Sequence, residues 1–534
     1  MKDFETYKKQ IIEKVMKPIE VVGFQIYFVG GCVRDELLGK EPHDLDLVGS
    51  ATPKDLHKVF DKFSNVSKNS EQFGVTMPLV DINGELVEIE IATFRKDETK
   101  GRHPKVSLDA SIEEDAMRRD FTINALYENT EGAIIDPTGR GLHDIRDNKL
   151  YFVGNPHDRL LEDPLRAFRF VRFLSQKGFE CPYTVEEMQD MTGDLTFTDV
   201  SKERVLKEFK QILAGKWFST KTVQDAFFTM RVADVSGITG LKDQMEKVPQ
   251  AIRWHSEGSL WAKQHDGVVE SRIFESFGLE HKNGIPTNLD VLKGWTPVVN
   301  GTVWDHTKLV VQFASEECWV FGGPQFNEED RFLIVLGAFL HDIGKVHSKL
   351  GIKHHSFKLF EGTEDEILIE EDIPKVVDHP IVGIEPARQF CKALKMSNEE
   401  IDFITYVVEK HMDVHTMLEH HSDLDNMRML HHPDFDKLVI VASGDDFGSK
   451  NIMPNDRGMM NVILADEHIQ QLRKTAIPEP ILKGTDLISF GRKPGPLFKK
   501  MLEVAYHFQV DQGKTDKQEL YRLVKNVELN KDGK

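Results

Sequence analysis

Residues 27–48 read YFVGGCVRDELLGKEPHDLDLV: an apolar run closed by a glycine pair, a short helix-like stretch, and a second apolar run that carries Asp44 and Asp46. On an extended strand, side chains two residues apart share a face and lie ~7 Å from each other. Leu45 and Leu47 then pack inward while both carboxylates face a common cleft, a disposition that binds divalent metal. Gly30 and Gly31 lack a Cβ, which lets backbone N–H groups approach an anion, and Arg34 follows one turn later to pair with phosphate. Metal beside a phosphate cradle points to nucleotidyl transfer. A solvated DxD turn beside an ordinary glycine loop would look the same in isolation, so the neighbouring segments decide.

At 534 residues the chain exceeds a single core and implies several domains. Its composition is globular, with 40% apolar and 29% charged residues, and no run of about 18 apolar residues is present to span a bilayer. The opening MKDFETYKKQIIEKV mixes both charge signs at helical spacing and lacks the apolar core of a signal peptide. A cytoplasmic protein without membrane contact is expected. Cys32, Cys181, Cys318 and Cys391 are scattered without a CxxC pair, which argues against structural zinc and disulfides. The net charge of −20 argues against a surface that wraps nucleic acid nonspecifically. RNA contact is therefore expected to be local, with Arg159, Arg166, Arg169 and Arg172 gathered on one stretch.

Up to about residue 147 strand-like runs (QIYFVG, LDLVGS, GELVEIEIATF, AIIDP) alternate with helical patterns, which reads as an α/β head. Beyond it, from LLEDPLRAFRFVRFLSQKGF onward, apolar residues recur at spacings of three and four and predict helices. The fold class is thus α+β, an α/β head followed by all-helical parts. The boundaries fall at 1–147 for the head, 148–215 for a helical neck, 216–300 for a loop-rich body, 301–450 for a further helical domain and 451–534 for a helical tail.

Nucleotidyl transfer also needs cations for a triphosphate and a means of reading the base. MRRDFTINALY (117–127) supplies Arg118 and Arg119, then Asp120 as an acceptor for a ribose hydroxyl. Glu162, Asp163 and Arg166 fall at i, i+1 and i+4 of a predicted helix, a face that offers acceptors and a donor fork to a base edge. Glu88 and Glu90 share a strand face, but a solvated strand edge explains them equally, and they are left outside the candidate set.

GGCVRDELLG with HDLDLV, TFRKDETKGRHPKVS, RRDFTINAL, IIDPTGRGLHDI, EDPLRAFRFVRF and VSKERVLKEF, spread in order over residues 24–214, resemble the successive motifs of class II tRNA nucleotidyltransferases. These are the CCA-adding enzymes and their bacterial poly(A) polymerase relatives, of the polymerase beta-like superfamily. The resemblance implies that Asp44 and Asp46 are the catalytic ligands of Mg²⁺. It implies nucleotide binding by Gly30, Gly31, Arg34, Arg118, Arg119, Asp120, Asn124 and Arg169, with Glu162, Asp163 and Arg166 as a protein template for CTP and ATP. A flexible element that helps switch from C to A addition would lie near Arg95–Arg102.

A second constellation begins at His306 in GTVWDHT and continues with His341 and Asp342 inside the apolar LGAFLHDIGK. Buried ionisable groups need partners, and metal ligation provides them. Downstream stand His379 in DHPIVGIEPA, His411 in VEKHMDVH, and Asp445 in VASGDDFG, chosen over Asp446. Imidazoles and carboxylates from several helices suit Ni²⁺, Mn²⁺, Fe or Mg²⁺ and leave positions for water and phosphate. Residues 301–450 resemble the HD phosphohydrolase domain that follows the transferase region in some bacterial CCA-adding enzymes, with a longer insert between Asp342 and His379 that carries His347, His354 and His355. The tail LKGTDLISFGRKPGPLFKKMLEVAYHFQV also resembles those members.

Together these resemblances imply addition of CCA to tRNA from CTP and ATP, and hydrolysis of 3′-end or cyclic phosphates in tRNA repair, with the body at 216–300 contacting tRNA. Two other readings stay open: a bacterial-type poly(A) polymerase, and an HD phosphohydrolase or RNA-binding factor with an inactive transferase head. Whether the chain works as a monomer or a homodimer is also open.

Overall fold

Alternation in the first apolar run sets the architecture of the N-terminal part. Ile26 and Phe28 bury one face of strand β1 (Ile26–Val29) against Ile11, Val15 and Ile19 of the N-terminal helix, while Val29 turns to the opposite face with Val48, Phe94 and Tyr127. Both faces of the sheet are therefore covered. The other strands are β2 (Leu47–Gly49), β3 (Val75–Thr76), β4 (Leu79–Ile82), β5 (Glu85–Glu88), β6 (Ile91–Thr93), β7 (Lys96–Asp97), β8 (Val106–Ser107), β9 (Tyr127–Glu128) and β10 (Ile134–Ile135). Six of them form one sheet in the order β10-β9-β1-β2-β6-β3, in which only β2 and β6 run parallel. β4 and β5 make a separate hairpin, whose turn residues Asn83 and Gly84 have φ of 57° and 85°, the two-residue turn that Asn-Gly favours.

The computed structural model describes residues 4–42, 44–64, 73–97, 106–193, 195–197, 200–230, 249–253, 298–320, 326–346, 351–353, 356–358, 366–368, 373–375, 379–417, 422–450 and 466–525. The chain divides into two units, Met1–Val235 and Ser236–Lys534. Most of the stretch 216–300, the end of the Arg95–Arg102 element, and His347, His354 and His355 lie outside the described residues.

After the sheet, the first unit continues in helices, of which Leu165–Arg172 packs on Lys202–Leu213. One expectation is corrected here. Glu162, Asp163 and Arg166 do not share a helix: Pro156–Glu162 ends at Asp163 (φ −144°, ψ 98°) and a new helix starts at Leu165. Pro164 is the cause, because its ring excludes the helical conformation from the residue before it.

The second unit is mostly helical. Val303–Val320, Glu328–Leu340, His379–Ala393, Asn398–Thr416 and Phe435–Lys450 pack against one another, and Leu482, Leu487, Met501, Ala505, Leu520 and Val524 form a separate apolar cluster in the tail. The all-helical expectation needs one amendment. Short antiparallel ladders pair 249–253 with 298–302, 351–353 with 373–375, and 356–358 with 366–368.

Within the first unit a buried cation ties the N-terminal helix to the sheet. Lys8 Nζ lies 2.6 Å from Glu36 and 2.8 Å from Glu128 on β9, above the ring of Phe28. Removing one partner of a buried ion cluster leaves the others desolvated and uncompensated. Lys8→Ala is expected to cost about 3 kcal/mol, read as a fall of roughly 6–12 °C in the melting temperature of this unit; an unchanged melt would show that the cluster does not hold the helix.

Candidate functional site

β1 ends at Val29 because Gly30 takes φ 76° and ψ −122°, a backbone region closed to residues with a Cβ. Helix Gly31–Leu37 starts there, with the Arg119 guanidinium 3.6 Å from where a Gly30 side chain would begin. Since the ladder stops at this turn, β2 begins only at Leu47. Asp44 and Asp46 therefore occupy the extended approach to a strand, which corrects the expectation that they lie on one. The backbone of Asp46 is still fixed, since its carbonyl oxygen accepts from Val29 N–H at 3.0 Å. Both carboxylates line a cavity of about 560 Å³, within the range of small-ligand sites.

Crowding of negative charge marks this end of the cavity. The surrounding protein, then the charge of Asp44, push the Asp46 carboxyl above its ordinary range, against the pull of Arg119. Glu90 joins them: parallel pairing of Leu47 with Ile91 sets it alongside, and burial together with the charges of Asp46 and Asp44 raises its carboxyl too. Carboxylates held this close favour a divalent cation among them. Glu90 was left out on sequence grounds; the alternation VEIEIATF was its signal, and the β2–β6 register is what gives that signal meaning.

The rest of the cavity is cationic. Eight lysine and arginine side chains line it beside five aspartates, in a chain whose net charge is −20. Among these are Arg118, Arg119, Arg166 and Arg169 of the expected set, while Arg172 and Lys177 were not expected as nucleotide ligands. Gly30, Gly31, Asp120, Asn124 and Asp163 also line the cavity; Glu162 does not. Instead, Glu162 is clamped by Arg159 at 2.5 Å and Arg166 at 2.9 Å. Arg166 also donates to the carbonyl oxygen of Arg118 at 2.9 Å, which joins the EDPLR and RRD segments.

Arg34 is buried and occupied, donating to Asp35 at 2.8 Å and to the Asn124 side chain at 2.7 Å. Asp120 pairs with Arg169 at 2.6 Å and accepts from Asn124; burial pushes its carboxyl up, but the Arg169 charge prevails and holds it below the ordinary range. Asp115, fully buried, receives both Arg118 and Arg119 as well as the hydroxyl of Tyr127. The sequence reading had passed over it.

A second candidate centre lies in the other unit. His306, His341, Asp342, His379, His411 and Asp445 are all buried. Their donor atoms fall into two groups, His306 with His341 and Asp445, and His379 with His411 and Asp342, each within 4.8 Å. Asp342 faces both: Oδ2 is 3.3 Å from His341 and 3.5 Å from His306, while Oδ1 is 3.3 Å from His379 and 3.8 Å from His411. Within each group two imidazole Nε2 atoms meet at 3.2 Å.

Hydrogen bonds on the far side of the rings select the tautomer. His341 Nδ1 lies 2.8 Å from the Ala338 carbonyl and His411 Nδ1 2.9 Å from that of Val408. A carbonyl only accepts, so each Nδ1 carries a proton and each Nε2 faces the centre; burial pushes His341 down, but the Asp342 carboxylate beside it prevails and raises it. Burial pushes His411 down to about 3, which keeps it neutral. Burial opposes ionisation of Asp342 and Asp445, yet Lys345 and His341 beside the first, and His306 and His415 beside the second, hold both well below the carboxylate range. Asp445, rather than Asp446, meets His306, at 3.0 Å, and His415 orients its other oxygen at 2.9 Å. Gly344 permits the assembly, since a Cβ there would sit 1.9 Å from the His379 carbonyl.

Comparison with known proteins gives two family matches, a Poly A polymerase head domain over residues 26–151 and an HD domain over residues 303–443. The CCA-adding enzyme of Lacticaseibacillus paracasei is 39% identical over 205 residues, covering 38% of this chain and 49% of that one. The chain thus spans about half the length of that relative. Among solved structures, the Bacillus stearothermophilus CCA-adding enzyme in complex with CTP shares the fold at TM-score 0.55 and 20% identity, covering 98% of both chains. The Thermotoga maritima CCA-adding enzyme complexed with tRNA_CCA follows at TM-score 0.53 and 16% identity, over 97% of this chain and 94% of that one. The chain thus carries a Poly A polymerase head domain and an HD domain in this order, and over its N-terminal part it is similar to CCA-adding enzymes.

Proposed function

We propose that the first unit adds CCA to tRNA 3′ ends from CTP and ATP, and that the HD centre removes phosphate from 3′ or 2′,3′-cyclic ends. The observation that carries the first reading is the single cavity in which Asp44 and Asp46 face a cationic wall. Mg²⁺ held by Asp44 and Asp46, with Glu90 beside them, would supply activation of the attacking hydroxyl and relief of charge on the α-phosphate. Arg118, Arg119, Arg169 and Lys177 are placed to take the triphosphate, and Asp120, anchored by Arg169, to accept from a ribose hydroxyl. In this assignment Asp163 and Arg166 read the base edge and Glu162 holds Arg166 in place. The head is 1–147, the neck 148–215, the tRNA-contacting body 216–300, the HD domain 301–450 and the tail 451–534.

For the HD centre, the donor set fits divalent cations. Imidazole nitrogens and carboxylate oxygens converge in two buried groups, and Asp342 directs one oxygen at each histidine pair. We assign it two cation positions, with Asp342 between them. Mn²⁺, Ni²⁺, Fe and Mg²⁺ are all compatible with nitrogen and oxygen ligands.

Purified protein with Mg²⁺ and tRNA lacking its 3′ CCA should add two C residues from CTP alone, then one terminating A when ATP is present, resolved at single-nucleotide resolution. Long A tails on any RNA would identify a poly(A) polymerase instead, and absence of extension would leave only the phosphohydrolase. Asp44→Ala or Asp46→Ala should lower the rate by about 10²–10³-fold, the range for loss of a group that stabilises transition-state charge.

After loading with Mn²⁺, metal analysis of Asp342→Ala should show loss of both HD-centre ions, and His411→Ala loss of one. Asp342→Ala should abolish phosphatase activity and spare CCA addition; loss of both activities would show that the two centres are not independent.

A further inference from the structure

Arg119 sits between two carboxylates, and only one of them holds it. Its Nε and Nη2 lie 3.2 and 3.0 Å from Asp115 Oδ2, its Nε also reaches the Tyr127 hydroxyl at 3.1 Å, and its guanidinium lies 5.2 Å from the centre of the Tyr127 ring. Tyr127 completes the clamp by donating to Asp115 Oδ2 at 2.8 Å. The other carboxylate is Asp46. Its backbone pairs with Val29, one residue from Gly30; the remaining Nη1 of Arg119 lies beside Gly30, 3.5 Å from the Asn124 carbonyl oxygen, and the Arg119 charge is close enough to act on the Asp46 carboxyl. An arginine fork beside an open carboxylate forms a bidentate pair unless something else engages it. Here that pair would occupy oxygens of Asp46 that a cation needs.

We propose that Asp115, with Tyr127, is a positioning residue that keeps Arg119 off Asp46 and so leaves Asp46 available to a divalent cation. Asp115 is suited to the task by its lack of exposure, since water does not compete with it, whereas Asp46 is open to the cavity. Its other oxygen takes Arg118, at 2.9 Å through Nε and 2.7 Å through Nη2. One carboxylate thus fixes two guanidiniums and leaves a net positive charge facing the cavity. Asp115→Asn keeps the shape but turns an amide N–H₂ toward one of the guanidiniums. Released, Arg119 would turn to Asp46.

This inference rests on the reading of Asp46 as a metal ligand. In the full-length protein, the Mg²⁺ concentration for half-maximal CTP addition should rise about fivefold in Asp115→Asn, the scale on which an accessible ion pair competes, while saturating Mg²⁺ restores kcat to within about threefold. Tyr127→Phe should shift the Mg²⁺ requirement in the same direction by about twofold, the scale of one lost neutral hydrogen bond. Mn²⁺ binding in the presence of CTP, followed by electron paramagnetic resonance in an Asp342→Ala background that silences the HD centre, should weaken by the same factors. An Asp115→Asn protein with native circular dichroism and an unchanged Mg²⁺ requirement would overturn the proposal, as would a kcat loss that Mg²⁺ does not restore. If Asp115→Asn does not fold, Tyr127→Phe decides alone. A wild-type protein that extends no tRNA would refute the proposed transferase activity, and the Mn²⁺ titration would still decide the role of Asp115.

Discussion

Everything in the transferase cavity depends on one backbone conformation, the left-handed turn at Gly30. It stops β1 and starts a helix at the cavity, so that beyond the Val29–Asp46 hydrogen bond the chain before β2 leaves the ladder and Asp44 and Asp46 line the opening. Any residue with a Cβ would strain this turn, which is set directly against the Arg119 guanidinium. Parallel pairing of β2 with β6 then brings Glu90 in beside the two aspartates.

Charge is apportioned in the cavity, not merely accumulated. Most of its arginines are tied to a carboxylate: Arg34 to Asp35, Arg118 and Arg119 to Asp115, Arg166 to Glu162, Arg169 to Asp120, Arg172 to Glu208. Such pairing fixes the guanidiniums before any ligand arrives, which lowers the ordering cost of binding a polyanion. It also explains how an acidic chain presents a site for anions: the field is local, and screening over about 8 Å hides it from the remote surface charge.

The order of motifs was readable in the sequence because each is short and local, and the family matches fall over the head motifs and the histidine constellation, while EDPLRAFRFVRF and VSKERVLKEF lie beyond the head match. What was not readable came from pairing between distant segments. Glu90 gains its place only through the β2–β6 register, and Asp115 only because Arg118, Arg119 and Tyr127 return to it, three to twelve residues later in the chain. The helix drawn through Glu162–Arg166 failed for a local reason, since Pro164 breaks it and that signal stood in the sequence. The apolar setting of His341 and Asp342 and the resemblance to HD domains named the six residues but not their division into two groups, which depends on Asp342 pointing a different oxygen at each histidine pair.

The two candidate centres treat solvent in opposite ways, and their side chains differ accordingly. At the N-terminal cavity burial and, after it, mutual repulsion push the carboxyls of Asp46 and Glu90 upward, so a cation bound there would relieve both. The HD ligands are buried, and there the protein has to settle protonation in advance. Backbone carbonyls hold the Nδ1 of His341 and His411, and Lys345 beside Asp342 and the hydrogen bonds of His306 and His415 to Asp445 favour the ionised carboxylates against burial. Under the proposed function, a buried centre organised in this way would hold a metal more firmly than an open one, and exchange would suit a site where the cation arrives with each nucleotide. The two centres lie on separate units, so each can meet its own requirement.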